Sequence, residues 1–332
     1  FAEIDFNRDI RPILSDHCFA CHGPDEHDRK GELRLDTREG ALKGGESGET
    51  IVPGNPGDSE LMLRILSANK DEVMPPPKAH KELSSTQKDL LSRWITEGAK
   101  YADPWTYVAP KRHSVPPVGM KDWSENWIDN FILARLETEK LKPSLDADPV
   151  TLVRRLYFDL IGLPPTPGQV DAFVRRWKQD PSACLETTVD ALLASPHFGE
   201  RMAIYWLDLV RYADTCGYHG DQDHSISPYR DYVIQAFNDN LPFDQFTREQ
   251  LAGDLLPDPS IDQRVATGYN RLLQTSHEGG VQAREYLAIY FADRVRNLSN
   301  VWMGATVGCA QCHDHKYDPY TMKDFYALGA FF

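Results

Sequence analysis

The sequence predicts a mainly α-helical chain built in two parts, a smaller N-terminal one and a larger helical one with long loops. Three observations lead there. Apolar residues recur at the three-to-four spacing of a helix face in segment after segment, while the period-two alternation of a strand is hard to find. The stretch from Asp103 to Pro117 carries four prolines and little periodicity, the composition of a semi-rigid extended connector. A chain of 332 residues with 41% hydrophobic content can bury a real core, and its length fits two domains better than one. The expected division is residues 1–103, a linker over 104–120, and a helical part over 121–332.

In order, Phe6 to His17 reads as a short helix with Ile10, Ile13 and Leu14 on one face, running into Cys18-Phe19-Ala20-Cys21-His22. That pattern, C-x-x-C-H, returns as Cys309-Ala310-Gln311-Cys312-His313. Its spacing has a chemical cause. Two thiols three positions apart can each add to one vinyl group of a porphyrin, while the adjacent histidine swings under the iron as proximal ligand. With 6 cysteines and 11 histidines in the chain, the expected number of chance matches is roughly 0.004. A zinc knuckle or a redox dithiol would explain the cysteine pairs but not a histidine directly after each. Two covalently attached haem c groups are therefore expected, on Cys18, Cys21 and His22 and on Cys309, Cys312 and His313. The N-terminal part then reads as a class I-like cytochrome c domain.

After the first motif come a Gly-rich loop from Lys43 to Gly57, a helix from Ser59 to Leu66, and Val73-Met74-Pro75-Pro76-Pro77. Met74 is the candidate sixth ligand of the first iron, ahead of Met62 and Met120. A thioether on a proline-stiffened loop is held without fraying, and Met opposite His raises the haem potential. Ser84-Ser85-Thr86-Gln87 is a capping box opening a closing helix through Leu90, Leu91, Trp94 and Ile95, with Gly98 as its stop. Beyond the linker, helical spacing spans Trp123 to Leu141 and Leu152 to Leu160, the latter stopped by Gly162-Leu163-Pro164-Pro165. It returns at Asp190 to Leu193, Arg201 to Tyr212, Tyr229 to Asn238, Asp244 to Leu251 and Arg284 to Trp302. Four of the six cysteines go to haem, and Cys184 and Cys216 are read as free thiols.

A formal net charge of −14 argues against nucleic acid and anionic membrane surfaces, which need clustered Lys and Arg. No apolar run reaches the 18 or so residues of a membrane span. The Phe-Ala-Glu-Ile start is read as a processed N-terminus, and covalent haem attachment implies a periplasmic or exported protein. The apolar end at Ala330-Phe331-Phe332 is read as a cut or partner-covered terminus, with a further C-terminal domain or a separate chain as its partner.

The blocks C-F-A-C-H, G-E-L-R-L-D, V-P-G-N-P-G-D-S-E-L, M-P-P and W-I-T-E-G-A resemble the planctomycete-type cytochrome c domain. F-D-L-I-G-L-P-P-T, S-P-H-F-G-E-R, W-L-D-L-V-R-Y-A-D-T, Y-R-D-Y-V-I-Q-A-F-N, Q-L-A-G-D-L-L and G-C-A-Q-C-H-D-H-K-Y-D-P resemble the uncharacterised companion domain that follows it. The resemblance covers about nine tenths of the chain and implies that it accompanies polysaccharide-degradation systems, which makes a saccharide the first substrate class to test.

The second iron's distal ligand is open among His219, His277 and His224, in that order, with His219 and His224 on a flexible polar loop that could reach over the ring. His315, two residues after His313, is on the wrong side for that role and is a candidate for a propionate or substrate contact. If no ligand binds, Tyr218, His219, Asp221, Tyr229, Arg230, Asp231, His277, Glu278 and His315 become candidate substrate or acid-base groups. The leading reading is a periplasmic dihaem electron carrier, the relay of a larger oxidoreductase, serving a redox partner protein. The alternatives are a haem-dependent dehydrogenase oxidising a carbohydrate at the second haem, and a non-redox carbohydrate-binding or scaffold module.

Overall fold

The computed structural model describes residues 4–276 and 278–332. It is mainly α-helical, with 56% of residues in helices. Among the described residues extended pairing is confined to two isolated bridges, Gly45 with Gly48 and Thr215 with Asp223. The chain forms two compact units, one running up to Lys111 and taking in Ala305–Phe332, the other Arg112–Gly304.

In the first unit a π-turn segment, Phe6–Ile10, leads into α1 (Arg11–His17) and the four-residue α2 (Phe19–His22). Helices α3 (Arg38–Lys43), α4 (Glu60–Leu66) and α5 (Ser85–Thr96) follow. The apolar faces expected from spacing meet in one core, in which Ile10, Ile13, Leu14 and Phe19 pack with Leu61, Met62, Ile65, Leu91, Trp94 and Ile95. The α5 capping box forms as the sequence requires. Gln87 N donates to Ser84 Oγ at 3.2 Å, and Ser84 N donates to Gln87 Oε1 at 2.9 Å, satisfying two of the helix's orphan donors. Gly98, at φ +97°, turns the chain just past the end of the helix. There the Trp94 indole N–H donates to Lys100 O at 2.9 Å, and the Phe6 and Tyr101 rings meet tilted by 39° at a 4.5 Å centroid separation.

The second unit holds α6 (Trp127–Thr138), α7 (Pro149–Ile161), α8 (Pro167–Trp177), α9 (Pro181–Leu193), α10 (Pro196–Leu209), α11 (Ser227–Asn238), α12 (Phe243–Ala252), α13 (Ile261–Ala266) and α14 (Ala283–Leu298). Gly162, left-handed at φ +72°, ends α7 where the sequence predicts the stop. The segment Pro167–Trp177, which carries no sequence expectation, is a helix opened by a Thr166/Gln169 capping box. Its Phe173 packs with Val153 and Cys184 in a satellite core. A second core joins α10, α11 and α12 through Trp206, Tyr229, Val233 and Phe246, with Tyr269 and Trp302 against it. Cys184 and Cys216 are buried free thiols, and the Cys184 thiol donates to Phe173 O at 3.5 Å.

The chain then returns to the first unit through a 3-10 turn, Val307–Gln311, and α15 (Met322–Gly329). The sequence division keeps 121–332 together, whereas packing groups Ala305–Phe332 with the N-terminal helices. Tyr320 sets its ring edge-on to Tyr107 at 6.3 Å, and the Tyr317 hydroxyl donates to Asp16 Oδ1 at 3.4 Å. Among the described residues no helix is long and apolar enough to cross a membrane.

Candidate functional site

The first C-x-x-C-H is built on a single helical turn. Cys18 O accepts from Cys21 N at 3.1 Å and from His22 N at 2.8 Å, so the two thiols and the imidazole rise from one rigid turn. Phe19 anchors that turn in the core, and Cys18 is half-buried against the same core. Burial pushes the Cys18 thiol up to about 12, which keeps it neutral; a thioether is likewise neutral and carries no desolvation penalty there. His22 Nδ1 lies 3.1 Å from Lys30 O, a bond that puts the ring proton on Nδ1 and leaves the Nε2 lone pair free for a metal. Burial also lowers the proton affinity of His22, outweighing that bond, and so favours the neutral imidazole that ligates iron.

The loop after the motif wraps back on it. Lys30 N donates to Cys21 O and Leu35 N to His22 O, each at 2.8 Å. Gly23 is required by close approach, since a Cβ there would sit 2.2 Å from Phe19 O. Met74 is half-buried, packs against the same core as Cys18, and donates its backbone N–H to Arg64 O at 3.2 Å. These donors fit haem c. Bound there, it supplies one-electron redox chemistry, while the chain holds the ring orientation and the buried thiol.

The second motif repeats the histidine geometry on a different scaffold. Cys309 and Cys312 are exposed, Cys309 N donates to Thr306 O at 3.1 Å, and His313 Nδ1 lies 2.8 Å from Asp314 O, again leaving Nε2 free. His315 is 5% exposed. Its Nδ1 accepts from Tyr317 N at 3.2 Å and Asp318 N at 2.9 Å, so the proton sits on Nε2, 3.0 Å from Thr306 Oγ1. The ring therefore ties the residue that opens the motif's turn to the loop that follows it. Among the described residues no group of three or more His, Cys, Asp or Glu side chains is placed to hold a metal ion.

Within the first unit a cavity of about 780 Å³ is lined by Phe19 of the first motif and by Asp314, directly after the second. Arg11 lines it too; burial lowers the proton affinity of its guanidinium against the opposing field of Asp103, Asp318 and Asp36, and it donates to Asn7 Oδ1 and Ala102 O, each at 2.8 Å.

The other nominated residues lie in the second unit. His219, with its side chain 96% exposed, and Glu278 are brought together, Nδ1 to Oε1 at 3.0 Å. His224 Nε2 is 3.4 Å from Arg271 Nη2. Tyr218 packs against Tyr286, and Asp221 accepts from Gly217 N at 2.7 Å. Arg230 pairs with its neighbour Asp231 at 3.0 Å. Tyr229 is 1% exposed, and its hydroxyl donates to Gln250 Oε1 at 2.6 Å and accepts from the Trp206 indole N–H at 3.1 Å. His277 lies outside the described residues. Sequence reasoning missed Glu249, 5% exposed, whose carboxylate accepts from the Tyr232 hydroxyl at 2.8 Å, Gln245 Nε2 at 2.9 Å and Gln263 Nε2 at 3.1 Å. Gln245 is one turn away on α12, but the other two donors come from α11 and α13, so no local motif announces the cage.

Comparison with protein families finds two matches. Residues 18–78 match planctomycete cytochrome C (PSCyt1), and residues 127–332 match PSCyt2, described as a protein of unknown function (DUF1549). The second match covers more than half of the chain. The chain belongs to the PSCyt2 family. The order of the two matches is the one the sequence blocks imply, and the PSCyt1 match makes the N-terminal region of this PSCyt2 member a c-type cytochrome domain with covalently bound haem c and an electron-transfer role. Neither the curated proteins nor the solved structures contain a match to this PSCyt2 chain.

Proposed function

We propose that the protein is a dihaem c-type cytochrome that relays electrons outside the cytoplasmic membrane, as the electron-transfer part of a larger oxidoreductase serving a redox partner protein. The observation that carries this reading is the histidine geometry shared by both motifs. His22 and His313 each turn Nδ1 onto a backbone carbonyl, at 3.1 Å and 2.8 Å, and each keeps Nε2 free for iron. In this reading Cys18, Cys21, His22 and Met74 would hold the first haem, and Cys309, Cys312 and His313 would hold the second. The location follows from the compartment in which haem is attached covalently in bacteria.

Substrate oxidation at the second haem, with a saccharide as first candidate, is the second reading. Within the second unit, the His219–Glu278 contact supplies an acid-base pair of the kind that substrate chemistry uses, since a carboxylate holds the histidine. The test is a quantitative haem spectrum of the purified chain, ferric and ferrous, repeated with carbon monoxide. Two haems without a carbon monoxide shift support the relay, two haems of which one binds it support substrate chemistry, and a single haem overturns the dihaem assignment.

A further inference from the structure

We propose that the two haem-attachment segments form one electron-exchanging pair inside the first unit, with Asp16 and Tyr317 as positioning residues that hold the segments in register. This rests on the dihaem reading and deepens it: the second haem's electron partner is the first haem of the same chain. The step moves one electron from ferrous iron at one site to ferric iron at the other, and it makes or breaks no bond and needs no proton or further reactant.

Two C-x-x-C-H motifs about 290 residues apart in sequence need not meet, but here they border the same space. Phe19, inside the first motif, and Asp314, next to His313, line one 780 Å³ cavity. Asp16, two residues before Cys18, accepts from the Tyr317 hydroxyl at 3.4 Å and faces Lys316 Nζ at 4.0 Å, three residues beyond His313. Charges from the two segments interleave around the cavity. Arg11 of α1 shares the cavity wall with Asp36, Asp103 and Asp318, whose charges act on it, and Arg34 feels Asp314 as well as its bidentate partner Asp36 at 3.1 and 2.6 Å. Tyr320, also on the cavity wall, sets its ring against Tyr107 and buries a hydroxyl that has no hydrogen-bond partner. A buried hydroxyl left unpaired is unfavourable, and a polar group reaching the cavity, such as a haem propionate, would relieve it.

The exposed Lys316–Asp16 ion pair contributes little by itself. Asp16 and Tyr317 supply the side-chain link between the two segments in this wall, and Asp16, being exposed, can be changed without touching a core residue or a ligand.

The experiment uses the full chain. Haem is first counted by its pyridine complex, then the fully ferric protein is studied by electron paramagnetic resonance and titrated spectroelectrochemically. The expected result is two haems whose ferric signals relax each other and whose midpoints shift according to the redox state of the neighbour. In Asp16→Lys, which sets like charges face to face, both signs of coupling weaken while haem content stays at two. Tyr317→Phe weakens them less, and Asp16→Glu restores them. A single haem overturns the dihaem reading and the pair with it. Two haems that relax and titrate independently overturn the pair alone, and coupling unchanged in Asp16→Lys overturns the positioning role of Asp16.

Discussion

Replacing Gly23 with alanine tests whether the first haem turn is held by close packing of its own backbone. At φ −118° and ψ −160° Gly23 is extended, a conformation that alanine adopts freely, so any penalty must come from contact. An added Cβ would sit 2.2 Å from Phe19 O, 3.1 Å from its C and 3.2 Å from its Cα, all of them backbone atoms of the motif's own turn. Clearing the oxygen requires a shift on the order of 1 Å, and overpacking of that kind costs about 3 kcal/mol. Spread over a unit of roughly 140 residues, the loss corresponds to a fall in Tm of about 10 °C. Gly31→Ala is the control. Gly31 is left-handed at φ +62° with nothing within 4 Å of its Cβ direction, so alanine there costs about 1 kcal/mol of conformational strain and about 3 °C. Thermal unfolding followed at the Soret band, with haem counted in parallel, separates the two. Gly23→Ala should lose stability and attach haem poorly at the first site, with the second spared. Equal Tm values for both variants, with full haem at site one, would refute the close-packing argument.

Met74→Ala is expected to lower the potential of the first haem and change its spectrum with both haems still attached, because a thioether opposite histidine raises the potential; an unchanged spectrum retires the ligand assignment. Glu249→Ala removes the acceptor shared by three donors, of which Tyr232 and Gln263 are half-buried, and should cost about 1–3 kcal/mol at neutral pH in chemical denaturation, with the cytochrome spectrum intact. Burial raises the proton affinity of the Glu249 carboxyl, but the hydrogen bonds from Gln245, Gln263 and Tyr232 outweigh it and hold its pKa below the usual value. Its contribution is therefore fully present above the unfolded-state pKa, near 4.3, and is lost as pH falls through the lower folded value, so the gap between wild type and variant should close on acidification below about pH 4. His315→Leu strands the backbone donors of Tyr317 and Asp318 and the Thr306 hydroxyl, costing about 2–4 kcal/mol, and should deplete haem at the second site while the first stays full.

How much could be read in advance follows the range of the interactions involved. Helix α5 was legible because its capping box and the Leu91, Trp94 and Ile95 stripe are local features. So was the end of α7, where Gly162 supplies the left-handed turn. Helix α8 went unread although Thr166 and Gln169 spell the same capping box, because its apolar face, built around Phe173, is narrow and its last turn is basic. Tyr229 opens a predicted helix and is a candidate acid-base group by sequence, yet on α11 it faces inward, and the indole and amide that meet its hydroxyl come from α10 and α12. His315 was nominated for its position beside His313, and what it touches was set by the fold of the turn around it.

By itself, the sequence determined the mainly helical class, most helix positions and the cytochrome-then-PSCyt2 order, because hydrophobic period, caps and motif spacing are carried by residues within a few positions of one another. Only the tertiary structure decided that Ala305–Phe332 packs with the N-terminal unit, that Asp16 meets Tyr317, and that Glu249 lies in a cage of three donors. Such contacts join residues far apart in the chain, and which of many chemically equivalent partners meet is settled only when the cores close and exclude water.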